Sequence, residues 1–174
     1  MYRVDADSTG FSFDTDINFN FMAGNSDFQY LGANNRFNYQ WESHQAFLVL
    51  NGGFGKTAGI SFFSKSLIHF RNVHSLTRKV LVEGFVQYDN NKKLLLRHRA
   101  LAGGGLRLNL VDQKKILSRC GLSAFMEHEE YYLEKEAEHQ VNIETIRLSS
   151  YLTGTFKISD CMTFQSVNYF QPRI

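Results

Sequence analysis

The chain has 174 residues and a nearly balanced charge, with 19 Lys and Arg against 17 Asp and Glu, so no long-range field favours a nucleic-acid partner. Its length and its hydrophobic fraction of 43% predict a single globular domain over 1–174, and no apolar run approaches the roughly 18 residues of a membrane helix. A helical membrane protein is therefore excluded. The 16 Phe, 8 Tyr and 13 Gly, with one Pro, are typical of a β-protein with many tight turns.

The first predicted strand, 11–21, shows the clearest alternation of residue types in the chain. Its odd positions are mostly aromatic or aliphatic, as at Phe13 and Ile17. Its even positions are all polar and include Asp14 and Asp16. A period of two marks a strand whose two faces meet different surroundings. Weaker alternation predicts further strands at 28–41, 45–54, 62–72 and 79–88.

The second half of the chain repeats the pattern in longer segments, 94–110 and 143–158, with further strands predicted at 116–129 and 162–170. Strands of about 16 residues exceed the usual five or six of a soluble sheet but suit tilted barrel strands that cross a bilayer. Short turns favour antiparallel pairing of neighbours. We therefore expect an all-β, antiparallel up-and-down meander of about nine strands that forms an outer-membrane-type β-barrel, present here in incomplete form.

The alternation alone does not decide which face is internal, because a membrane barrel inverts the order found in a soluble one. The polar faces favour the membrane barrel, since their charges can pair across a lumen, with Glu83, Glu127 and Glu129 as further partners. Aromatic residues near strand ends, such as Trp41 and Tyr88, match interfacial girdles. The longest connections, near 55–60 and 130–142, would emerge on one rim. We interpret six residues as facing the lumen: Asp14, Asp16, Arg97, Arg99, Arg107 and Arg147.

Several short motifs along the chain carry a family resemblance. They are the segment 2–11 (YRVDADSTGF), the pair Gly24-Asn25, the glycine-rich segment 101–108, and the segments 143–147 (IETIR) and 168–172 (NYFQP). Together they resemble the DUF481 family, often labelled salt-induced outer membrane proteins, in its Bacteroidetes-type form. The resemblance implies an outer-membrane barrel of a Gram-negative cell, in contact with outer-membrane lipid. It also implies a signal peptide before this segment, further strands after it, and no established catalytic residue.

Two other sequence patterns are of types that can bind a ligand. Carboxylates and imidazoles can gather a divalent cation, and an acidic stretch begins near the end of the seventh predicted strand. We interpret it as a solvated, charged loop, in which Glu127, Glu129 and Glu130 are weak metal candidates. The run Gly103–Gly105 lacks the Lys and Ser or Thr of a phosphate loop, and inside a strand it predicts a bend or a bulge. No cofactor is expected.

Three classes of function remain open. The first is a structural or narrow channel-like barrel in the outer membrane, without catalytic chemistry and with protein partners unknown; the lumen is expected to be narrow because open channels need about sixteen strands. The alternative is a soluble, lipocalin-like barrel whose apolar ligand would contact Phe13, Ile17, Leu148 and Phe156. The third is an outer-membrane enzyme that acts on lipid through His74 or His128. We expect the first, and no enzyme.

Overall fold

A computed structural model describes residues 9–24, 27–113, 115–133, 140–159 and 161–172. Over these ranges the chain forms one nine-stranded sheet in which every strand pairs antiparallel with its neighbours in sequence. Within these ranges no helix is long and apolar enough to span a membrane. The strands are β1 (Gly10–Met22), β2 (Phe28–Trp41), β3 (His44–Thr57), β4 (Ile60–Ser75), β5 (Val80–Asn91), β6 (Leu96–Asp112), β7 (Ile116–Tyr131), β8 (Asn142–Lys157) and β9 (Thr163–Phe170), with a short 3-10 helix at Lys92–Leu94.

The predicted all-β meander is confirmed, and each predicted strand corresponds to one observed strand. The prediction of a long connection near 55–60 is wrong, because only Ala58 and Gly59 join β3 to β4. Both residues have positive φ, 48° and 77°, as a tight two-residue hairpin turn requires. The glycines of β3 indicate a loop when only the sequence is considered, but they lie inside the strand. At Gly55 there is no room for a side chain, because a Cβ would lie 2.9 Å from the ring of Phe62.

The sheet is curved, and the contacts on one face show which side is concave. Tyr151 on β8 reaches past β7 to Arg107 on β6, and the rings of Phe85 on β5 and Phe125 on β7 are 6.2 Å apart. The buried apolar side chains Val73, Phe85 and Phe125 also lie on this face. Both contacts cross a glycine of the intervening strand, Gly121 and Gly103, and they indicate curvature toward that side. The concave face therefore holds the core, while the convex face is open.

The two rims of the sheet differ in their connections. The connections after β2, β4, β6 and β8 are short and form what we call the short-turn rim, whereas the 132–141 connection after β7 lies on the opposite, long-loop rim. At the sides of the sheet, the edge strands β1 and β9 do not pair with each other in the described ranges. The sheet is therefore an open one, consistent with an incomplete barrel.

The glycine run of β6 lies at a close approach between strands. Of the two features predicted there, a bend or a bulge, the register excludes the bulge. The register of β6 with β7 is continuous through Gly103–Gly105, and its shifts occur near the two ends of β6. A Cβ on Gly105 would lie 2.3 Å from the carbonyl oxygen of Leu122. A Cβ on Gly103 would lie 2.4 Å from the Cβ of Phe125. Glycine therefore permits β6 and β7 to curve tightly toward the concave side.

Replacing Gly105 by alanine should lower the free energy of unfolding by about 1–3 kcal/mol, because the new methyl group would overlap the backbone of β7. The matched control is Gly52→Ala on β3, since a Cβ there meets nothing within 4 Å. We expect that control to be neutral or slightly stabilising. Urea unfolding of the two variants measures the difference. Equal losses in both variants would contradict the close approach of β6 and β7.

Candidate functional site

A buried charge network lies on the concave face where β4, β5, β6 and β8 converge. Glu83 accepts a hydrogen bond from Arg107 at 2.5 Å, and the Arg107 Nε donates to the Tyr151 hydroxyl at 2.7 Å. Arg71 approaches the same carboxylate at 3.7 Å. The side chains of Glu83 and Arg107 are only 1% and 7% exposed. One carboxylate therefore holds two arginines and, through them, fixes four strands relative to one another.

A second network lies nearer the long-loop rim, on β5, β6, β7 and β8. Arg99 donates to Asp89 at 3.0 Å and lies 3.6 Å from Glu127. Arg147 forms an ion pair with Glu127 at 2.5 Å, although its Nε does not reach hydrogen-bond geometry. Asp89 also accepts a hydrogen bond from Gln87 at 2.6 Å. Charges of opposite sign thus alternate across the concave surface.

The concave face encloses two hollows that share part of their lining. The smaller, of about 230 Å³, lies between the two networks. The larger, of about 910 Å³, opens at the short-turn rim. Arg71, Tyr151 and Tyr169 line both, so these side chains mark the boundary between the hollows. A polar interior filled by paired side chains is the arrangement expected in the lumen of a small membrane barrel.

The structure brings three of the six proposed lumen residues, Arg99, Arg107 and Arg147, into these networks. Asp14 and Asp16 lie on the same concave face but far along the sheet, on β1, where Asp14 is opposite Arg36. Arg97 is separate from the others, because the register shifts between Leu96 and His98. Arg97 instead contacts Glu130 at 2.6 Å. A bulge breaks the two-residue period, so Arg97 does not share the face of Arg99.

The proposed acidic loop begins later than the sequence suggests. Glu127, Glu129 and Glu130 all belong to β7, and alternation separates them. Glu127 and Glu129 are buried on the concave face, while Glu130 faces the other way and contacts His98 at 3.0 Å. Over the ranges that the structure describes, no group of three or more His, Cys, Asp or Glu side chains could hold a metal ion. The acidic residues at 134–139 lie outside those ranges.

The side chains required by the two alternative functions are not brought together. The four proposed contacts of an apolar ligand lie on the convex face, exposed and outside both hollows: Phe13, Ile17, Leu148 and Phe156. His74 stacks on His44, with ring centroids 4.2 Å apart, and His128 lies 3.4 Å from Glu144. In the described part of the chain, no hydrogen bond joins His74 or His128 to a serine. Neither the apolar pocket nor a serine–histidine pair is formed.

Four members of the networks were not singled out from sequence: Arg71, Gln87, Asp89 and Tyr151. Alternation within β4 and β5 could have placed Arg71 and Asp89 on the polar face beside Glu83. Tyr151 gives a weaker signal, because a tyrosine on a polar strand face is equally suited to an interfacial position. Its role depends on Gly121 of β7, which lies between Arg107 and Tyr151 in the register and leaves room for the Tyr151 ring.

Comparison with known proteins gives one match. The model of the family described as "Protein of unknown function, DUF481" matches residues 15–173, which is most of the chain. No curated protein and no solved structure matches the chain. The comparison therefore supports the family and names no activity.

Proposed function

The chain belongs to the DUF481 family of proteins of unknown function, and we propose that it is a β-barrel protein of the outer membrane with a structural or narrow channel-like role and no catalytic chemistry. In this proposal the convex face contacts lipid and the concave face lines the lumen. The sheet then corresponds to the wall of the barrel, and its two rims correspond to the two mouths of the barrel.

The observation that carries the proposal is the apolar convex face. Its large side chains are open to the surroundings over every strand; Ile17, Leu122 and Met126 are 70%, 60% and 68% exposed. Contiguous exposed apolar surface of this extent is rare on soluble monomers and marks contact with a partner or a membrane. The burial of carboxylates and arginines on the opposite face agrees with an inverted barrel.

The height of the apolar band fits a bilayer. On β8 the convex face runs from Ile146 to Phe156, with the charged Glu144 just beyond one end. Ten residue steps span roughly 34 Å along a strand, which a tilt of about 40° reduces to roughly 26 Å. The apolar belt of outer-membrane barrels is about 25 Å tall. Exposed Trp41 and Tyr88 lie near opposite rims, where aromatic girdles are expected.

A narrow lumen is expected from the number of strands and from the side chains that fill the concave side. A barrel of about eight strands encloses space that side chains just fill, while water-filled pores need about sixteen strands. In this sheet the Glu83 and Glu127 networks occupy the concave side, so free diffusion of large solutes is disfavoured. The proposed role is therefore a wall or a selective passage, not a general diffusion pore.

Cell fractionation of the full-length protein, followed by a heat-modifiability gel in detergent, tests the proposal. We expect recovery in the outer membrane and a faster-migrating band in the unheated sample, because a closed barrel resists unfolding by detergent. Recovery in the soluble fraction, without a band shift, would overturn the membrane assignment. A soluble β-sandwich expressed alongside serves as the control for the fractionation.

A further inference from the structure

The larger hollow at the short-turn rim is strongly basic, and we propose that it binds a small solute carrying phosphate or carboxylate groups. We call this hollow the basic vestibule. Its described lining contains seven Lys or Arg side chains and two carboxylates, those of Glu42 and Asp112. The proposal deepens the proposed function, since it names the class of solute that the lumen would admit, and it rests on that function only for its physiological setting.

Basic side chains outnumber acidic ones in and beside the hollow. Glu83 lines the smaller hollow and pairs with Arg71 and Arg107, so one carboxylate serves two guanidinium groups. With Glu83 and with Asp14, which lies opposite Arg36, included, seven basic side chains compare with four acidic ones. The smaller hollow is close to balance, with three arginines and the two carboxylates of Glu83 and Glu127. The excess is therefore local to the basic vestibule and does not extend through the whole concave face.

Two arginines of the basic vestibule, Arg36 and Arg71, stack on aromatic rings. Arg36 lies over the ring of Phe47 at 4.6 Å, and Arg71 lies over Phe85 at 4.9 Å. Arg36 donates through its Nε to Asn38, and Arg71 is paired with Glu83 through one terminal nitrogen. Stacking orients each guanidinium group, and its other nitrogens are the kind of donor that phosphate and carboxylate oxygens accept from. An anion that enters therefore meets donors with restricted orientations, which lowers the entropic cost of binding.

The shape of the hollow sets the size of the solute. A volume of about 910 Å³ is within the range of small-molecule sites. At its inner end Tyr151, which is fixed by Arg107, lies at the boundary with the smaller hollow. The walls of low dielectric concentrate the field of the basic groups inside the hollow. The basic vestibule therefore suits a small multivalent oxyanion that stops at the Glu83 network.

Titration calorimetry of the folded full-length protein with inorganic tripolyphosphate, at low ionic strength, tests the proposal. The test variant, Arg78→Gln with Lys115→Gln, removes two exposed vestibule charges. We expect it to weaken binding roughly tenfold, since each exposed charge contributes modestly. The control, Lys92→Gln with Lys93→Gln, removes two exposed charges beyond the opposite rim and should leave the affinity unchanged. A parallel titration with a tricarboxylate distinguishes a phosphoryl solute from a carboxyl one.

Three results would each overturn the proposed binding site. They are the absence of binding by both tripolyphosphate and the tricarboxylate, an unchanged affinity in the vestibule variant, and an equal loss of affinity in the control variant. Binding is measured on folded protein, whichever cell fraction contains it. Recovery in the soluble fraction with intact, vestibule-dependent binding would overturn the membrane assignment alone. Outer-membrane recovery without binding would overturn the vestibule alone.

Discussion

Replacing Glu83 by glutamine is expected to lower the free energy of unfolding by about 3–5 kcal/mol, the largest loss predicted for a single charge in this sheet. The change removes the charge but hardly alters the volume. Arg107 would then remain 7% exposed without its carboxylate, and Arg71 would lose the same partner. A buried guanidinium without a counter-charge pays the desolvation penalty with no compensating attraction. Denaturant unfolding at constant pH measures the loss.

Two further variants separate this effect from general disturbance. Glu144→Gln is the matched control, because the Glu144 side chain is 85% exposed and its contact with His128 should contribute about 1 kcal/mol or less. The double variant Glu83→Gln with Arg107→Met removes the more buried of the two unpaired guanidinium groups and should recover much of the stability. A loss for Glu83→Gln no larger than for Glu144→Gln would show that the network does not stabilise the sheet.

The strands were predictable because the two faces of the sheet carry side chains of different polarity. In β1 every even position from Ser12 to Asn20 is polar, and the ladder with β2 is regular over these residues. A regular ladder keeps that period, so sequence position alone assigns each residue to a face. Where the ladder is irregular the assignment fails, as at Arg97, which the register shift beside Leu96 moves away from Arg99.

The charge networks were only partly predictable, because they depend on contacts between strands that are not neighbours. Sequence periodicity gives the face of Arg107 and Tyr151, but not their distance, because β6 and β8 are separated by β7. Their 2.7 Å hydrogen bond crosses β7 at Gly121, where a Cβ would lie 2.3 Å from the Tyr151 ring. The run Gly103–Gly105 was interpreted as a bend or a bulge, since a sequence shows the absence of side chains but not what occupies the space.

Replacing Ile17 by arginine is expected to destabilise the membrane-inserted protein by about 2–4 kcal/mol if this position lies near the bilayer midplane. Ile17 lies near the middle of β1 on the convex face and is 70% exposed. In water, a substitution at so exposed a position typically changes stability by no more than about 0.5 kcal/mol. The size of the effect therefore reports which medium surrounds the convex face.

The adjacent Asn18 provides the matched control for that measurement. It lies at nearly the same height on β1 but on the concave face, where it is exposed and donates a hydrogen bond to Asp16. Asn18→Arg should be nearly neutral, because an arginine there enters a polar lumen beside a carboxylate. Reversible unfolding in lipid vesicles compares the two variants. Equal and small effects would contradict lipid contact at the convex face, whereas a large loss confined to Ile17→Arg is what an inverted barrel requires.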